Sequence, residues 1–231
     1  MVSDTRSDAT SVVARSYDSQ AARYDRRWSS YVARSTELTL AALPALVPGA
    51  RVLDVGCGTG HLLAALRERG ESLALTGVDV SKGMLAGAAE RLGDDAVLCQ
   101  APAERLPFGE GAFDAVVTAS SLHYWRAPEG GLAEVARVLA VGGVLVVTDW
   151  CRESWRMRLM DLYLRLRDPA HHRALTRDEL AGLAAEAGFR VEHHRRYQIE
   201  RLWQLQVLAA RRSGAPRSAR SGSMPADPEP C

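Results

Sequence analysis

The chain alternates short apolar runs with segments in which apolar residues recur every three or four positions. The continuous runs predict strands buried on both sides, and the periodic segments predict amphipathic helices. Strands that alternate with helices favour an α/β fold in which a parallel sheet is covered on both faces. The predicted strands are residues 52–55, 73–80, 115–118 and 144–148, and the predicted helices include residues 61–69 and 131–139.

Capping signals mark two further helices, and the domain closes with a predicted hairpin. Ser81 precedes one periodic segment and can cap it. Thr176 and Glu179 have the spacing of a capping box at the start of another helix. Residues 190–199 and 203–210 have the composition of two paired strands, which predicts a terminal β-hairpin.

The segment 52–60, VLDVGCGTG, joins a predicted strand to a predicted helix through three alternate glycines. Gly56, Gly58 and Gly60 can adopt positive φ and let a ligand approach the backbone closely, because they lack Cβ atoms. At the start of a helix, such a loop is expected to turn backbone N–H groups and the positive end of the helix toward a crevice. The loop therefore predicts a site for a nucleoside-bearing ligand.

An acidic residue at the end of the next strand supports this prediction. Asp79 lies 19 residues after Gly60, close to the spacing of about 20 at which a carboxylate accepts hydrogen bonds from ribose hydroxyls. Two classes of enzyme fit these features: dinucleotide-dependent dehydrogenases and enzymes that use S-adenosylmethionine (SAM). The glycine pattern favours the second class, because dehydrogenases carry G-x-G-x-x-G and this chain has G-x-G-x-G.

This loop, preceded by Asp54 in its strand, resembles that of the class I SAM-dependent methyltransferases. Three further blocks carry the resemblance: residues 17–25, YDSQAARYD; residues 99–108, CQAPAERLPF; and residues 113–125, FDAVVTASSLHYW. The similarity covers residues 17–212 and is nearest to the small-molecule methyltransferases of the quinone-methylating group. It implies a Rossmann-like sheet of seven mostly parallel strands with helices on both faces, an antiparallel last strand, and SAM as the cofactor.

The resemblance also implies which residues hold the cofactor. Asp54 is expected near the sulfonium or amino end of SAM, and Asp79 at the ribose. The family often has an acid that accepts from the adenine amino group where this chain has Pro102. Backbone, water or a neighbour such as Gln100 must then serve that amino group. The predicted cofactor-binding residues are Tyr17, Asp54, Gly56, Cys57, Gly58, Gly60, Asp79, Val80, Met84, Ala103, Glu104 and Ser120.

Residues after the predicted strand at 115–118 are expected to face the reaction, because open α/β sheets bind ligands at the carboxyl ends of their strands. His123 is the candidate catalytic base, since imidazole titrates near neutral pH. Packing of His123 on the ligand, or a hydrogen bond to backbone, would explain its position equally well. Tyr24 and Tyr124 are candidates for contact with the substrate.

A second apolar stripe is predicted to select the acceptor. Trp155, Leu159, Leu162 and Leu166 recur at helical spacing within an insertion at 150–175. A helix of this kind can cover an apolar pocket, although an ordinary packing helix or a dimer contact would give the same pattern. We expect Trp155 and Leu159 to contact a small, fairly apolar acceptor.

Composition favours one compact catalytic domain. The 231 residues are 47% hydrophobic and carry a formal net charge of +1, so no basic field attracts nucleic acid. The four cysteines lack the C-x-x-C spacing of metal or redox sites. No segment reaches the roughly 18 apolar residues of a membrane span. We therefore expect a cytoplasmic monomer or homodimer that uses neither a metal nor a membrane partner.

The predicted organisation is an N-terminal helical cap at residues 1–34, a methyltransferase domain at 35–212 and a disordered tail at 213–231. The implied reaction is an in-line transfer of the SAM methyl group to the acceptor. An alternative is a domain that binds SAM without catalysis and acts as a sensor or partner-binding module. The glycine loop and Asp79 predict ligand binding, and they do not by themselves distinguish binding from turnover.

Overall fold

The computed structural model describes residues 5–70, 72–199 and 203–214, and the side chains within these ranges apart from those of residues 5–10, 19–24 and 26. Strands and helices alternate as predicted. The strands are β1 (Arg51–Val55), β2 (Ala74–Asp79), β3 (Ala96–Gln100), β4 (Phe113–Ala119), β5 (Leu139–Trp150), β6 (Phe189–Ile199) and β7 (Trp203–Arg212). The α-helices are α1 (Thr5–Ala42), α2 (His61–Glu68), α3 (Lys82–Leu92), α4 (Pro128–Val138), α5 (Trp155–Arg167) and α6 (Arg177–Glu186).

The seven strands form one sheet in the order β3-β2-β1-β4-β5-β7-β6. The first five strands of this order pair in parallel, and β7 runs antiparallel to both β5 and β6. These findings confirm the predicted fold class and the antiparallel last strand. The chain reverses its direction of winding between β1 and β4, and the carboxyl ends of strands at such a switch point form a crevice for ligands.

Helices cover both faces of the sheet, because side chains on successive strand positions point to opposite sides. On β1, Val52 is buried against the layer formed by α1, α2 and α3. The next residue, Leu53, is buried in the opposite layer with side chains of α4 and α6. Both residues are fully buried. The crevice at the carboxyl ends of the strands is therefore set in a rigid, closely packed frame.

The predicted caps are confirmed. The Ser81 hydroxyl accepts a hydrogen bond from the Met84 N–H at the start of α3. At the start of α6, the Glu179 N–H donates to the Thr176 hydroxyl, and the Thr176 N–H donates to the Glu179 carboxylate at 2.7 Å. Both caps stabilise helices whose neighbouring loops line the crevice or lie close to it.

The N-terminal helix is longer than the predicted cap and bends inside it. α1 continues past residue 34 to Ala42, and its backbone leaves helical geometry at Trp28, where φ is −116°. After the bend, Thr39 is buried and its hydroxyl donates to the Thr148 hydroxyl of β5 at 2.7 Å. This contact fixes the second half of α1 against the sheet, so the first half projects over the carboxyl ends of the strands.

The orientation of α5 corrects one prediction. Trp155 is 67% exposed and Leu159 is 59% exposed, so the stripe that was expected to cover a pocket lies on the outer face. The opposite face is buried, and on it Asp161 accepts hydrogen bonds from His171 Nε2 and the Ala174 N–H, each at 2.8 Å. Met157 is fully buried on the same face, and a buried carboxylate must keep its hydrogen-bond partners, so both residues favour this rotation of the helix.

Candidate active site

The carboxyl ends of β1, β2 and β4 surround a cavity that is closed from above by α1. We refer to it as the first cavity. All but one of the predicted cofactor-binding residues line it. They are Tyr17, Asp54, Gly56, Cys57, Gly58, Asp79, Val80, Met84, Ala103, Glu104 and Ser120.

The exception is Gly60, which lies behind the loop. Its φ is 78°, and it precedes the first residue of α2. A Cβ atom on Gly60 would lie 2.9 Å from the Leu92 side chain and 3.2 Å from that of Ala88. The third glycine is therefore required for a close contact between α2 and α3, and it does not line the cavity.

The glycine loop turns as predicted, but the N–H groups of Gly56, Cys57 and Gly58 are bonded within the protein. Gly56 and Gly58 have φ values of 75° and 54°. The N–H groups of Gly56 and Cys57 both donate to the Val78 carbonyl, at 2.8 and 2.9 Å. The Gly58 N–H donates to Asp79 Oδ2 at 2.9 Å. The loop therefore holds β1 and β2 together, and its contribution to a ligand is space for close approach.

Gly56 lacks a side chain for a different reason, because the loop packs directly against Ser121. Its Cβ would lie 2.4 Å from Ser121 Cβ, and Ser121 cannot withdraw because its hydroxyl donates to the Val55 carbonyl. We expect Gly56→Ala to lower the free energy of unfolding by at least about 3 kcal/mol, through overlap added to the strain of positive φ.

Gly49→Ala is the matched control, because Gly49 has φ of 81° and nothing within 4 Å of its Cβ position. We expect this control to lose only about 1 kcal/mol. Urea unfolding of both variants tests the prediction, and equal losses would contradict it.

Asp79 is held in place by the ends of two elements. Besides the bond from Gly58, Oδ1 accepts from the Ser81 N–H at 2.9 Å. Burial raises the pKa of Asp79, although these N–H donors act in the opposite direction. The Val80 N–H also contributes to this group of donors, so about one of the roughly four acceptor positions of the carboxylate remains for a ligand in the cavity.

Asp54 is the most unusual acid in the first cavity. It is 2% exposed, and its Oδ1 has no hydrogen-bond partner. Burial, together with the nearby charge of Asp79, raises the pKa of Asp54 to about 8. A buried carboxylate without a partner is costly, and a positively charged ligand would remove that cost.

The raised pKa of Asp54 predicts how the ligand-free protein responds to pH. A carboxyl group whose pKa is higher in the folded state stabilises the fold below its unfolded value of 3.8, and this contribution is lost as the pH rises toward about 8. Between about pH 5.5 and 8, we expect the free energy of unfolding of the native protein to fall. The fall should exceed that of the Asp54→Asn variant by on the order of 2 kcal/mol. Asp79 acts in the same direction but is present in both proteins. Parallel curves from urea unfolding would contradict this origin of the pH dependence.

Two aspartates of the block at 17–25 attach α1 to the glycine loop and its surroundings. Asp18 Oδ1 accepts from the Ser81 hydroxyl at 2.6 Å and from the Gly83 N–H at 2.9 Å. Asp25 accepts from the Thr59 hydroxyl at 2.7 Å and pairs with Arg91. These bonds place Tyr17 on the wall of the cavity. The sequence motif signals both acids, but their partners become visible only in the fold.

The loop after β3 lines the far side of the first cavity. Pro102, Ala103 and Glu104 all contact it, and the Glu104 carboxylate accepts from the Ala127 N–H at 3.3 Å. Gln100 is exposed, and its amide donates to the Val80 carbonyl at 2.8 Å. The structure therefore does not bring Gln100 to the cavity, which leaves backbone groups or water for a ligand amino group at Pro102.

A second cavity adjoins the first. Tyr17, Tyr31, Ser120 and Tyr124 line both. The Tyr31 hydroxyl lies 2.7 Å from the Ser120 hydroxyl and accepts from Trp150 Nε1 at 2.7 Å, so it stands at the boundary between them. The remaining lining residues of the second cavity are Ser16, Arg27, Trp28, His123, Trp150, Met160, Leu164, Asp168 and Trp203.

His123 lines the second cavity and belongs to a buried pair. Its Nδ1 donates to Asp149 Oδ1 at 2.6 Å, and its own N–H donates to Asp149 Oδ2 at 3.2 Å. The Trp150 ring stacks on the imidazole with centroids 4.0 Å apart. Nε2 of His123 is buried and has no partner. Because the carboxylate holds the proton on Nδ1, Nε2 carries a lone pair that can accept a proton.

Neighbouring histidines complete this region, and sequence reasoning did not select them. His171 is buried beside His123 with ring centroids 5.5 Å apart, and it pairs with Asp161. His172 lines the first cavity instead, and its N–H donates to the His123 carbonyl at 3.0 Å. Among the described residues, no group of three or more potential metal ligands occurs.

The predicted substrate residues are placed unequally. Tyr124 lines both cavities and packs edge-on against Tyr17, with centroids 5.2 Å apart. Trp155 and Leu159 line neither cavity, because α5 turns them outward. The side chain of Tyr24 lies outside the described residues. Met160 and Leu164 are the residues of α5 that reach the second cavity.

Comparison with known proteins assigns this arrangement to a family. Residues 53–147 match the model of a methyltransferase domain. The chain is 32% identical over 215 residues to the ubiquinone/menaquinone biosynthesis C-methyltransferase of Xanthomonas campestris pv. campestris, which covers 79% of this chain and 81% of that protein. The chain belongs to the SAM-dependent methyltransferases. The cofactor of this family is SAM.

Two further proteins resemble this methyltransferase, one in sequence and one in fold. It is 37% identical over 153 residues to the malonyl-[acyl-carrier protein] O-methyltransferase of Geobacter sulfurreducens; the match covers 62% of the chain but only 57% of that relative's length. In fold, it resembles the 1,6-didemethyltoxoflavin-N1-methyltransferase of Burkholderia thailandensis, solved with its substrate and S-adenosylhomocysteine, with a TM-score of 0.69. The identity to that structure is 21%, and the match covers 88% of each chain.

The first cavity fits the chemistry of SAM. SAM carries an ammonium and a sulfonium, and Asp54, whose buried Oδ1 has no partner, can stabilise either charge once its carboxyl group is ionised. Asp79 retains acceptor capacity for ribose hydroxyls. Gly58 also lines this cavity, and nothing lies within 4 Å of its Cβ position, so a ligand can approach the loop backbone there. The residues present therefore match the cofactor of the methyltransferase family.

Proposed function

We propose that this methyltransferase binds SAM in the first cavity and methylates a small, fairly apolar acceptor in the second. The observation that carries the proposal is that the two cavities share one wall. Tyr17, Tyr31, Ser120 and Tyr124 line both, so a ligand in one cavity lies against a ligand in the other.

In the first cavity, the bound cofactor supplies a methyl group that is already activated on a sulfonium. Asp54 stabilises the positive end of the cofactor, and Asp79 binds the ribose. The Gly58 and Ser81 N–H groups hold the Asp79 carboxylate in a fixed orientation before the ligand arrives. Such preorganisation limits the entropy lost when the reactants are aligned.

The second cavity supports an apolar acceptor. Trp28, Trp150 and Trp203 contribute aromatic surface, and the Trp150 and Trp203 rings lie 4.8 Å apart. Met160 and Leu164 add apolar surface from the inner face of α5. Aromatic and apolar walls exclude water from the acceptor and hold planar organic molecules.

His123 provides a base for acceptors that must lose a proton. Asp149 accepts from His123 twice and also from the Trp150 N–H, and these three bonds fix its orientation toward the imidazole. Nε2 of His123 can then take the proton from an oxygen, nitrogen or carbon acid as its methyl bond forms. In this role His123 is the catalytic residue and Asp149 is the positioning residue.

The proposal leaves two acceptor classes to compare. The relatives are named for methylation of ubiquinone or menaquinone precursors and of malonyl-[acyl-carrier protein]. The walls of the second cavity favour the aromatic class, because three tryptophan side chains contribute to them.

The proposal is tested by incubating the protein with methyl-labelled SAM and a panel of acceptors. The panel contains hydrophobic phenols, hydroquinones and a malonyl-loaded carrier protein. We expect label in the organic extract with the aromatic acceptors. Label only on the carrier protein would overturn the acceptor class. Tight SAM binding without transfer to any acceptor would favour the non-catalytic sensor.

A further inference from the structure

We propose that the outer face of α5 is a docking surface for an anionic lipid bilayer. Five large side chains on this helix are more than half exposed, although apolar residues of this size are usually buried. They are Trp155 (67%), Leu159 (59%), Leu162 (52%), Tyr163 (55%) and Leu166 (77%). We call these five residues the α5 stripe. A contiguous exposed stripe of this kind marks an interaction surface.

The charges beside the stripe are arranged on both of its margins. At about 100° per residue around the helix, Arg156 and Arg167 flank one side of the stripe, and Arg158 and Arg165 flank the other. All four arginines are exposed. The Arg156 and Arg167 guanidinium groups lie over the Trp155 and Tyr163 rings, 5.4 and 5.9 Å from their centroids.

Negative charge is nearly absent from the same surface. Within residues 155–167, all of which the structure describes, Asp161 is the one acid, and it is 3% exposed and bonded to His171. At the two ends of the helix, Glu153 pairs with Arg196, and Asp168 accepts from the Ala170 N–H. The partner that complements this surface is therefore apolar at its centre and negatively charged around it.

A bilayer with anionic headgroups has this chemistry. In an interfacial helix, the apolar side chains enter the acyl boundary, while arginines on both margins extend to the headgroup phosphates. A second copy of the chain fits less well, because two paired α5 stripes would bring eight arginines together without exposed acids from the same helix.

The inner face of α5 lies beside the second cavity. Met160 and Leu164, on the inner face of the helix, line the second cavity. If the α5 stripe binds a bilayer, the second cavity lies close to the hydrocarbon region of that bilayer. The inference itself depends on the surface of α5 and not on the acceptor. The sequence predicts no membrane partner because it contains no segment long and apolar enough to span a bilayer, whereas the α5 stripe would bind at the bilayer surface. Among the described residues, no helix has the length and apolarity to cross a bilayer.

Co-sedimentation of the full chain with vesicles tests the inference without any activity assay. We use vesicles of phosphatidylcholine alone and vesicles that also contain about one-third phosphatidylglycerol. We expect binding to the anionic vesicles that weakens as salt increases, because the arginine contribution is screened. The double variant Leu162→Ser/Leu166→Ser should bind at least about tenfold more weakly. Arg156→Gln/Arg167→Gln should show a weaker preference for anionic vesicles, because two of the four flanking arginines remain.

The matched control is Val97→Ser/Val141→Ser, which alters side chains that are 57% and 67% exposed elsewhere on the surface. It should bind vesicles like the native protein. Thermal unfolding with and without SAM shows whether each variant folds. The inference is overturned if the native protein binds neither kind of vesicle. It is also overturned if the protein is a dimer in solution that the Leu162/Leu166 variant converts to monomers, since the stripe would then be an interface between copies.

Discussion

Asp79→Ala is expected to weaken SAM binding by about 100-fold or more. Each hydrogen bond between a ribose hydroxyl and a carboxylate contributes about 1.5–3 kcal/mol, and at least one such bond is lost. The substitution also removes the acceptors of the Gly58 and Ser81 N–H groups. The glycine loop and the start of α3 then lose the contact that joins them. Calorimetric titration of native and variant protein with SAM measures the effect.

Gln100→Ala is the control for this prediction. Gln100 is paired with Asp79 across β2 and β3 and also ends its strand, but its amide contacts the Val80 carbonyl outside the first cavity. We expect the dissociation constant of this variant to stay within about twofold of the native value. Asp79→Asn keeps a side chain of the same shape and should fall between the two. Unchanged binding in Asp79→Ala would remove Asp79 from the cofactor site.

The second large effect is expected at His123. His123→Gln should lower kcat by about 10²-fold or more, since general-base catalysis contributes about 10²–10⁴-fold. The dissociation constant for SAM should change by no more than about threefold, because His123 lines the second cavity and not the first. His193→Gln, at an exposed position on β6, is the control and should keep full activity.

Asp149→Asn tests the positioning role separately. The side-chain amide of this variant can donate to Nδ1 of His123, which would move the imidazole proton to Nε2 and leave no lone pair toward the cavity. We expect the rate to fall with His123 still present. Long-range ¹⁵N–¹H spectra of the imidazole report the tautomer directly and need no acceptor. A loss of rate without a change of tautomer, or a change of tautomer without a loss of rate, would contradict this role.

Local sequence patterns predicted the parts of the site that depend on neighbouring residues in the chain. The run before Gly56, the alternate glycines and the spacing to Asp79 define a strand, a turn and a strand end, and the fold assembles them as expected. Gly60 shows the limit of the pattern. Its lack of a side chain serves a contact with Leu92 on α3, and a glycine needed for packing has the same sequence appearance as one needed for a ligand.

The parts that sequence could not predict depend on pairing between distant segments. His123 and Asp149 are 26 positions apart and meet because they lie at the carboxyl ends of two adjacent parallel strands, β4 and β5. On α5, the buried Asp161 meets its partner His171 ten positions further along the chain. Trp155 and Met160 are both apolar, so hydrophobic periodicity alone supports either face of this helix as the buried one.

The most direct test of the central claim is a calorimetric titration of the native protein with SAM, S-adenosylhomocysteine and NAD. If the first cavity is the cofactor site, the two sulfur ligands bind with micromolar dissociation constants and NAD shows no binding at millimolar concentration. SAM, which carries the positive sulfonium, should also displace the proton of Asp54 below about pH 8, and this is detected as a heat that depends on the buffer. Binding of NAD in preference to both sulfur ligands would contradict the account.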